Sequence, residues 1–304
     1  METLPLVSVV IPTYNRAAFL RRAVESVTAQ SYPHWELIVA DDGSTDDTRA
    51  WLASVGDPRV RVLPLEHSGN PARVRNQALK AARGQYVAFL DSDDWWEPEK
   101  LGLQVAALAA HAECGWSYTG LRRVDEAGRE LAMAGTSWIP EEGFVLDRLV
   151  SGDAAVITST VVVERTLLES LNGFDEGFAV AEDFDLWIRL AERSPVAGVP
   201  RVLVARRRHA GNFSARGEDF ETMESVYARL MVRFPSGRIR RLHRRRRARW
   251  LARIADQRRV AGNAAAALDA LRRAFPDGIA EAVWWRALLK TLVAAALAPG
   301  ARRK

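Results

Sequence analysis

The sequence has very little cysteine and no long apolar run. Cys114 is the only cysteine among 304 residues, which excludes a disulfide within the chain and a metal site built from several thiolates. We expect this residue to be a small buried side chain rather than a nucleophile. No stretch reaches the roughly 20 apolar residues that cross a bilayer, and the first residues lack the basic start of a signal peptide. We therefore expect a cytoplasmic protein that is not integral to a membrane.

Four common motifs of enzymes are also missing. The chain contains no GxxxxGK[ST] phosphate loop, no GxGxxG fingerprint after its first strand, no HExxH and no GxSxG. These absences argue against P-loop NTPases, dinucleotide-binding enzymes with that fingerprint, zinc peptidases and α/β-hydrolases. The composition, with 48% hydrophobic and 27% charged residues, is that of an ordinary globular protein with a sizeable core.

Charge is distributed unevenly along the chain, although the net charge is only +5. Residues 226–304 carry 20 basic and 4 acidic side chains, a net charge of +16, whereas residues 1–225 have a net charge of −11. Eight arginines lie between Arg238 and Arg249, within a helical pattern. This contrast predicts an acidic domain over residues 1–218 and a basic α-helical region over residues 219–304.

The first third of the chain alternates short β-branched runs with helical patterns. The predicted strands are Val7–Ile11, Glu36–Ala40, Val60–Leu65 and Tyr86–Leu90. The predicted helices are Ala17–Gln30, Asp46–Ala53 and Pro71–Ala82. Apolar strands joined by helices indicate a parallel, doubly wound sheet that is covered on both faces. Residues from about 112 to 206 are predicted to add mixed helices and strands, including a strand over Val156–Val163.

Carboxylates follow two of these strands directly. Asp41 and Asp42 come after the second strand, and Asp91 and Asp93 come after the fourth. In an open parallel sheet, ligands bind beyond the carboxyl ends of the strands. Clustered carboxylates there favour Mg²⁺ or Mn²⁺, with substrate phosphates completing the coordination shell. The structural alternative, in which such acids only cap turns and helices, stays open for each of them.

Five motifs occur in a fixed order over about 180 residues. They are Val7–Arg16 (VSVVIPTYNR), Asp41–Asp46 (DDGSTD), Ala72–Asn76 (ARVRN), Phe89–Asp94 (FLDSDD) and Glu182-Asp183. Each motif is weak alone, but together they resemble the family 2 glycosyltransferases, whose fold is named GT-A. The resemblance covers roughly residues 6–215 and gives no account of residues 225–304. It implies a mixed, mostly parallel α/β sheet, with the basic helical region as an appendage.

The resemblance also implies roles for matching positions. It places the donor nucleotide against Pro12, Thr13, Tyr14, Asp41, Asp42, Arg75, Asp91, Glu182 and Arg208. It places a divalent cation, Mg²⁺ or Mn²⁺, against Asp93, with Asp91 and His209 as further ligands. It makes Asp183 the general base. From the sequence alone, Asp183 opens a helix after a loop-like segment, so an N-cap is the structural alternative.

Aromatic side chains are candidates for contact with an acceptor sugar. Trp95, Trp96, Trp116 and Trp187 could each stack on a sugar ring, although tryptophans of this kind more often belong to the core.

The activity that the resemblance implies is an inverting sugar transfer. The donor would be a nucleoside-diphosphate sugar, with UDP, GDP or dTDP, and the acceptor a hydroxyl group of a glycan or lipid-linked saccharide. Single displacement needs a cation to stabilise the leaving phosphate and a base to take the acceptor proton. The chain lacks the glutamine of the family's Gln-x-x-Arg-Trp motif before Arg249-Trp250, which favours single transfer over polymerisation. The sequence names neither the sugar nor the acceptor.

Two other functions remain open at this point. A sugar-phosphate nucleotidylyltransferase has a related sheet, but usually carries a Gly-rich basic loop where this chain has Pro12–Asn15. A nucleic-acid-binding protein would use the arginine run, but it leaves the acidic cluster unexplained, so nucleic acid is not the expected partner. We instead expect residues 238–250 to contact an anionic membrane surface, which would place the protein at the inner face of the membrane.

Overall fold

An eight-stranded sheet organises one of the two units into which the chain divides. The computed structural model describes residues 4–132, 139–178, 180–209 and 220–297, and in the last range the side chains of residues 226–296. The sheet unit comprises residues 1–146 and 154–216, and the helical unit comprises residues 147–153 and 217–304.

The sheet is mixed and mostly parallel. Its strands are β1 (Val7–Thr13), β2 (Trp35–Asp41), β3 (Val60–Pro64), β4 (Tyr86–Phe89), β5 (Trp95–Trp96), β6 (Trp116–Val124), β7 (Val161–Glu164) and β8 (Val196–Arg207). They lie in the order β3-β2-β1-β4-β7-β6-β8-β5. Strands β1 to β4 pair in parallel, as do β6 and β8, whereas β7 is antiparallel to both neighbours and β5 to β8. The predicted fold class is confirmed.

Helices cover the sheet and form the second unit. In the described residues they are α1 (Ala17–Thr28), α2 (Thr48–Ala53), α3 (Pro71–Ala81), α4 (Lys100–Ala110), α5 (Leu146–Ser151), α6 (Arg165–Ser170), α7 (Glu182–Arg193), α8 (Phe220–Arg233), α9 (Gly237–Val260), α10 (Ala264–Ala274) and α11 (Ala282–Leu297). Every one of these described helices is too short or too polar to span a bilayer.

The apolar strands are explained by burial on both sheet faces. Val9 and Ile11 of β1, Leu37 of β2 and Leu20 of α1 have no exposed surface and belong to one core cluster. Burial of each such side chain contributes about 1.5–3 kcal/mol. The central strands are therefore held rigidly, and the loops that follow them start from fixed points.

One strand begins later than its sequence predicts. Instead of a strand over Val156–Val163, residues Thr158–Thr160 form a 3-10 turn and β7 starts at Val161. The hydroxyl of Thr160 donates to the carbonyl of Ile157 (2.6 Å), a local bond that competes with strand pairing. The turn thereby directs the side chains of Thr158 and Ser159 away from a strand register.

The helical unit packs around small residues. Ala252 and Ala255 of α9 lie against Ala267 and Ala270 of α10 with almost no exposed surface, which lets the two helices approach closely. Trp284 of α11 completes this cluster, and its indole nitrogen donates to the carbonyl of Leu271 (3.0 Å).

Most of the arginine run is engaged within the helical unit. Arg244 pairs with Asp277 (2.8 Å), Arg238 with Asp147 (2.6 Å), and both Arg245 and Arg249 approach Glu281 at 3.7 and 3.8 Å. Backbone carbonyls accept hydrogen bonds from Arg240, Arg246 and Arg247. Seven of the eight arginines therefore make contacts within the unit.

The buried imidazole of His243 in α9 predicts that acid destabilises the helical unit. The ring has no exposed surface, packs against Phe234, and neither nitrogen has a hydrogen-bond partner among the described residues. Burial, together with the charge of Arg246, lowers the pKa of His243 from 6.5 to about 4. Between these values only the unfolded chain binds a proton, so stability falls as the pH drops through that window, by about 1.4 kcal/mol per pH unit.

Calorimetry of the whole chain between about pH 7 and pH 5 tests this expectation. The His243→Leu variant should lose much of the pH dependence, because it keeps an apolar group of similar size and removes the titrating ring. His111→Leu, which replaces a half-exposed imidazole of the sheet unit, is the control. An unchanged pH dependence in His243→Leu would contradict the assignment.

Candidate functional site

Predicted site residues from three parallel strands meet at one edge of the sheet. The register pairs Thr13 of β1 with Asp41 of β2, and Val10 of β1 with Phe89 of β4. The segments that continue from these strands carry Tyr14, Asp42 and Asp91 at neighbouring positions. This is the edge at which doubly wound sheets bind ligands.

The two acids after β2 have different environments. Asp41 has no exposed surface, and its carboxylate accepts hydrogen bonds from the backbone nitrogen of Ser44 (3.0 Å) and from Arg49 Nε (2.7 Å). Asp42 accepts bonds from the backbone nitrogens of Ser68 (2.8 Å) and Gly69 (2.9 Å). Asp41 therefore shapes its own loop, whereas Asp42 joins two loops at the edge of the sheet.

A stacked aromatic pair lies beside Asp42. The ring of Tyr14, which is 40% exposed, stacks on His67 with centroids 4.0 Å apart and an interplanar angle of 21°. The imidazole of His67 is 3.1 Å from the Asp42 carboxylate through Nδ1. Buried Thr13 and half-buried Pro12 precede Tyr14. A flat aromatic surface beside a carboxylate suits a planar base that donates hydrogen bonds.

Arg75 of α3 links two distant segments. Its Nη2 donates to Asp91 Oδ1 and its Nη1 to Glu182 Oε1, each at 2.7 Å. Burial alone would lower the pKa of Arg75, but these two carboxylates raise it above its ordinary value, so the guanidinium stays charged. Burial raises the pKa of Glu182. The positive charge of Arg75 acts in the opposite direction, but the negative charge of Asp183 partly offsets it.

Asp183 lies in the first turn of α7 but does not cap it. The N-cap is Ala181, which has a left-handed backbone (φ +60°) and makes no side-chain cap bond. The half-buried carboxylate of Asp183 accepts a bond from the hydroxyl of Thr158 (2.9 Å) and lies 2.7 Å from the nitrogen of Phe184. The N-cap alternative is therefore wrong, and a left-handed alanine at this point stores about 1–2 kcal/mol of strain.

The acids after β4 differ in their contacts: Asp94 is buried within the protein, whereas Asp93 is partly exposed. Asp94 is buried and accepts bonds from Ser159 Oγ (2.6 Å) and the backbone nitrogen of Arg207 (2.9 Å). Asp93 Oδ2 lies 2.9 Å from Nε2 of His209, at the end of β8. Burial, with the charges of Asp93 and Asp91, raises the pKa of Asp94 well above its ordinary value. Negative charge is thus concentrated where a cation would be favoured.

The remaining predicted residues are placed as follows. Arg208 is exposed, and its backbone nitrogen donates to the carbonyl of Val124 (2.8 Å). Residues 210–219, which come soon after it in the chain, lie outside the described residues. The four candidate tryptophans are core side chains, each at most 6% exposed, as the structural alternative predicted: Trp95, Trp96, Trp116 and Trp187.

Several contacting residues have no counterpart in the sequence prediction. His67 and Ser68 lie in a short polar loop before α3, next to Gly69, which has a left-handed backbone (φ +63°). Thr158 and Ser159 lie in a segment predicted as plain strand, yet their hydroxyls bond to Asp183 and Asp94. These four contacts span 25 to 65 residues, so only the folded chain reveals them.

Comparison with known proteins identifies the family. The model of Glycosyl transferase family 2 matches residues 8–162. This chain belongs to that family. The membership confirms the predicted class of enzyme, a glycosyltransferase domain.

Relatives and solved structures agree with this assignment. The putative teichuronic acid biosynthesis glycosyltransferase TuaG of Bacillus subtilis is 44% identical over 129 residues, which are 42% of this chain and 51% of that protein. The Escherichia coli glucosyltransferase WfgD is 29% identical over 219 residues, 72% of this chain and 83% of that protein. Over several curated relatives, the chain spans about half of their length or less.

The fold is similar to that of Staphylococcus aureus TarS. Residues 1–349 of TarS, solved in complex with UDP-GlcNAc, match with a TM-score of 0.66 and 22% identity, covering 95% of this chain and 88% of that one. The predicted GT-A-like fold is confirmed by this similarity.

The Arg75 contacts predict a large cost for removing that side chain. Arg75→Met would leave buried Glu182 without its counter-charge, so the free energy of unfolding should fall by about 3–5 kcal/mol. Denaturant unfolding followed by tryptophan fluorescence measures the change. Arg73→Met, at an exposed position two residues away in α3, should cost within about 0.5 kcal/mol. Equal destabilisation by both variants would contradict the role of Arg75.

Proposed function

We propose that this chain transfers a sugar from a nucleoside-diphosphate donor to an acceptor hydroxyl by single displacement with inversion. The observation that carries the proposal is the double contact of Arg75 with Asp91 and Glu182. It holds the acidic segment after β4 beside the first turn of α7. A site for the leaving diphosphate and a site for the base are thereby adjacent.

The nucleotide is proposed to bind at the ends of β1 and β2. Tyr14 and His67 offer a surface on which the nucleobase can stack. The backbone around Pro12 and Thr13 would line the bottom of this nucleotide site. Asp42 is proposed to accept a hydrogen bond from the nucleobase, and Asp41 keeps the loop in shape. WfgD is named as an enzyme that uses UDP-Glc, and TarS was solved with UDP and with UDP-GlcNAc. A UDP-sugar is therefore the first donor to test.

A divalent cation is proposed to bind between Asp93 and the donor diphosphate. In the described residues, no three His, Cys, Asp or Glu side chains form an ion site by themselves. Mg²⁺ commonly binds through one or two carboxylates and takes its other ligands from substrate phosphates and water. Asp93, with Asp91 or His209 as a further ligand, would supply the protein's part of such a shell. When bound, Mg²⁺ or Mn²⁺ would stabilise negative charge on the leaving phosphate. Arg208 adds a positive charge at the same strand end.

Asp183 is proposed as the general base. The hydroxyl of Thr158 orients its carboxylate, and each oxygen keeps a lone pair for the acceptor hydroxyl. As the acceptor oxygen attacks the anomeric carbon, its proton passes to Asp183 while the bond to the diphosphate breaks. Glu182 keeps Arg75 in place and carries no proton in this step.

The acceptor is proposed to be a lipid-linked saccharide. WfgD is named for an acceptor in which GlcNAc is joined to diphosphoundecaprenol. A membrane-bound acceptor also agrees with the expected contact of the basic region with an anionic membrane.

Thermal-shift screening of the whole chain against nucleotide sugars with Mn²⁺ tests the proposed donor class, because a ligand of the folded state raises the melting temperature. A transfer assay with the stabilising donor and a lipid-linked saccharide then tests the reaction. Release of pyrophosphate from a sugar phosphate and a nucleoside triphosphate would instead indicate a nucleotidylyltransferase and contradict the proposal.

Replacing the base should separate binding from transfer. Asp183→Asn keeps the shape of the side chain and removes its basicity, so the donor should still bind while the transfer rate falls about 10²-fold or more. Asp47→Asn is the matched control, because Asp47 is an exposed carboxylate that makes no cap bond. Near-normal turnover by Asp183→Asn would reduce Asp183 to a structural residue.

Replacing Asp93 should remove the effect of the cation. In Asp93→Ala, the stabilisation by donor that depends on Mn²⁺ should be lost, whereas the free protein should keep its circular dichroism spectrum. Asp47→Ala should retain the response to Mn²⁺. A response in Asp93→Ala equal to that of the unmodified chain would contradict the ligand assignment.

A further inference from the structure

Helix α11 carries an exposed apolar stripe. Trp285, Leu289, Leu292 and Val293 are 52%, 66%, 49% and 50% exposed. They occur at spacings of four, seven and eight residues, which places them on one face of a helix. Trp284, Ala287 and Thr291 form the opposite, buried face. We call the four exposed residues the α11 stripe.

The charged side chains of α11 itself are both positive. Arg286 and Lys290 are exposed next to the stripe, and α11 contains no acidic residue. The acids that precede the helix are engaged elsewhere: Asp277 pairs with Arg244, and Glu281 lies near Arg245 and Arg249. An apolar face with cations along its edge is the pattern of helices that lie in a lipid interface.

We propose that the α11 stripe docks this chain on an anionic lipid surface. Leu289, Leu292 and Val293 would enter the boundary of the acyl chains, and the indole of Trp285 would lie at the level of the headgroups, where its ring is favoured. Arg286 and Lys290 would reach the lipid phosphates, because long basic side chains extend past an apolar surface. The helix would lie along the surface, with its buried face kept on the helical unit.

This surface differs from the one predicted from the arginine run. Seven of the eight arginines between 238 and 249 contact carboxylates or carbonyls of the helical unit, so their guanidinium groups also have structural contacts. The part of α9 that follows the arginine run offers little exposed apolar surface, since Leu251 is fully buried and Ile254 is only 7% exposed. The α11 stripe combines apolar exposure and positive charge on one helix.

The same charges disfavour a second copy of this chain as the occupant. Two α11 stripes packed face to face would bring Arg286 and Lys290 of each copy together, without an acidic residue of α11 to offset the repulsion. A lipid surface supplies the missing negative charge, and each basic residue near it strengthens the attraction.

Vesicle flotation with the whole chain tests the proposal. Vesicles of phosphatidylcholine alone are compared with vesicles that also contain phosphatidylglycerol, at low and high salt. We expect binding to the anionic vesicles that weakens in salt. Leu289→Glu should lower the bound fraction at least about tenfold, because it places a charge in the acyl boundary. Val260→Glu, at a position that is 74% exposed outside the stripe, is the matched control and should bind normally.

Two further variants distinguish the stripe from the arginine run. Arg286→Gln with Lys290→Gln should weaken binding to anionic vesicles, whereas Arg241→Gln, at an exposed position of the run, should have a smaller effect. A larger loss in Arg241→Gln would overturn the proposal. Light scattering that shows a dimer dissociated by Leu289→Glu, without vesicle binding by the unmodified chain, would assign the stripe to a second copy instead. Neither outcome depends on sugar transfer, because none of these positions belongs to the proposed catalytic site.

Discussion

The buried guanidinium of Arg75 is the constraint on which the candidate site depends. Burial of a charge is costly unless opposite charges and hydrogen bonds compensate it, and this one has two carboxylates at 2.7 Å. Because Asp91 follows β4 and Glu182 begins α7, compensation of Arg75 fixes the distance between two segments that the sequence separates widely. The position of Asp183, next to Glu182, follows from the same contact.

Adjacent acids illustrate what a motif can and cannot predict. The sequence places Asp41 and Asp42 together at the end of a strand, and the parallel register brings them to the predicted edge. It does not reveal that Asp41 turns inward to Arg49 and Ser44 while Asp42 faces the loop of Ser68. That difference depends on residues up to 26 positions away, whose approach is decided by packing.

The strands and helices of the sheet unit, and their order along the chain, are predictable because each sequence signal for them is local. Apolar β-branched runs and the acids that follow them each act within a few residues. The 3-10 turn at Thr158–Thr160 is different, because its β-branched residues favour a strand and only their hydroxyl contacts favour the turn. Its two side-chain contacts, with Asp183 and Asp94, join segments that no local pattern connects.

The helical unit shows why a count of charges is a weak guide to a binding surface. A run of eight arginines predicts strong positive potential, but a guanidinium also serves as a structural donor, and α9 uses most of its arginines in this way. Free attraction for an anionic surface depends on cations that are exposed and unengaged, and affinity without a covalent anchor further requires apolar contact. Arg286 and Lys290 are exposed and lie beside exposed leucines. The proposed membrane contact therefore rests on the arrangement of charge relative to apolar surface, rather than on the amount of charge.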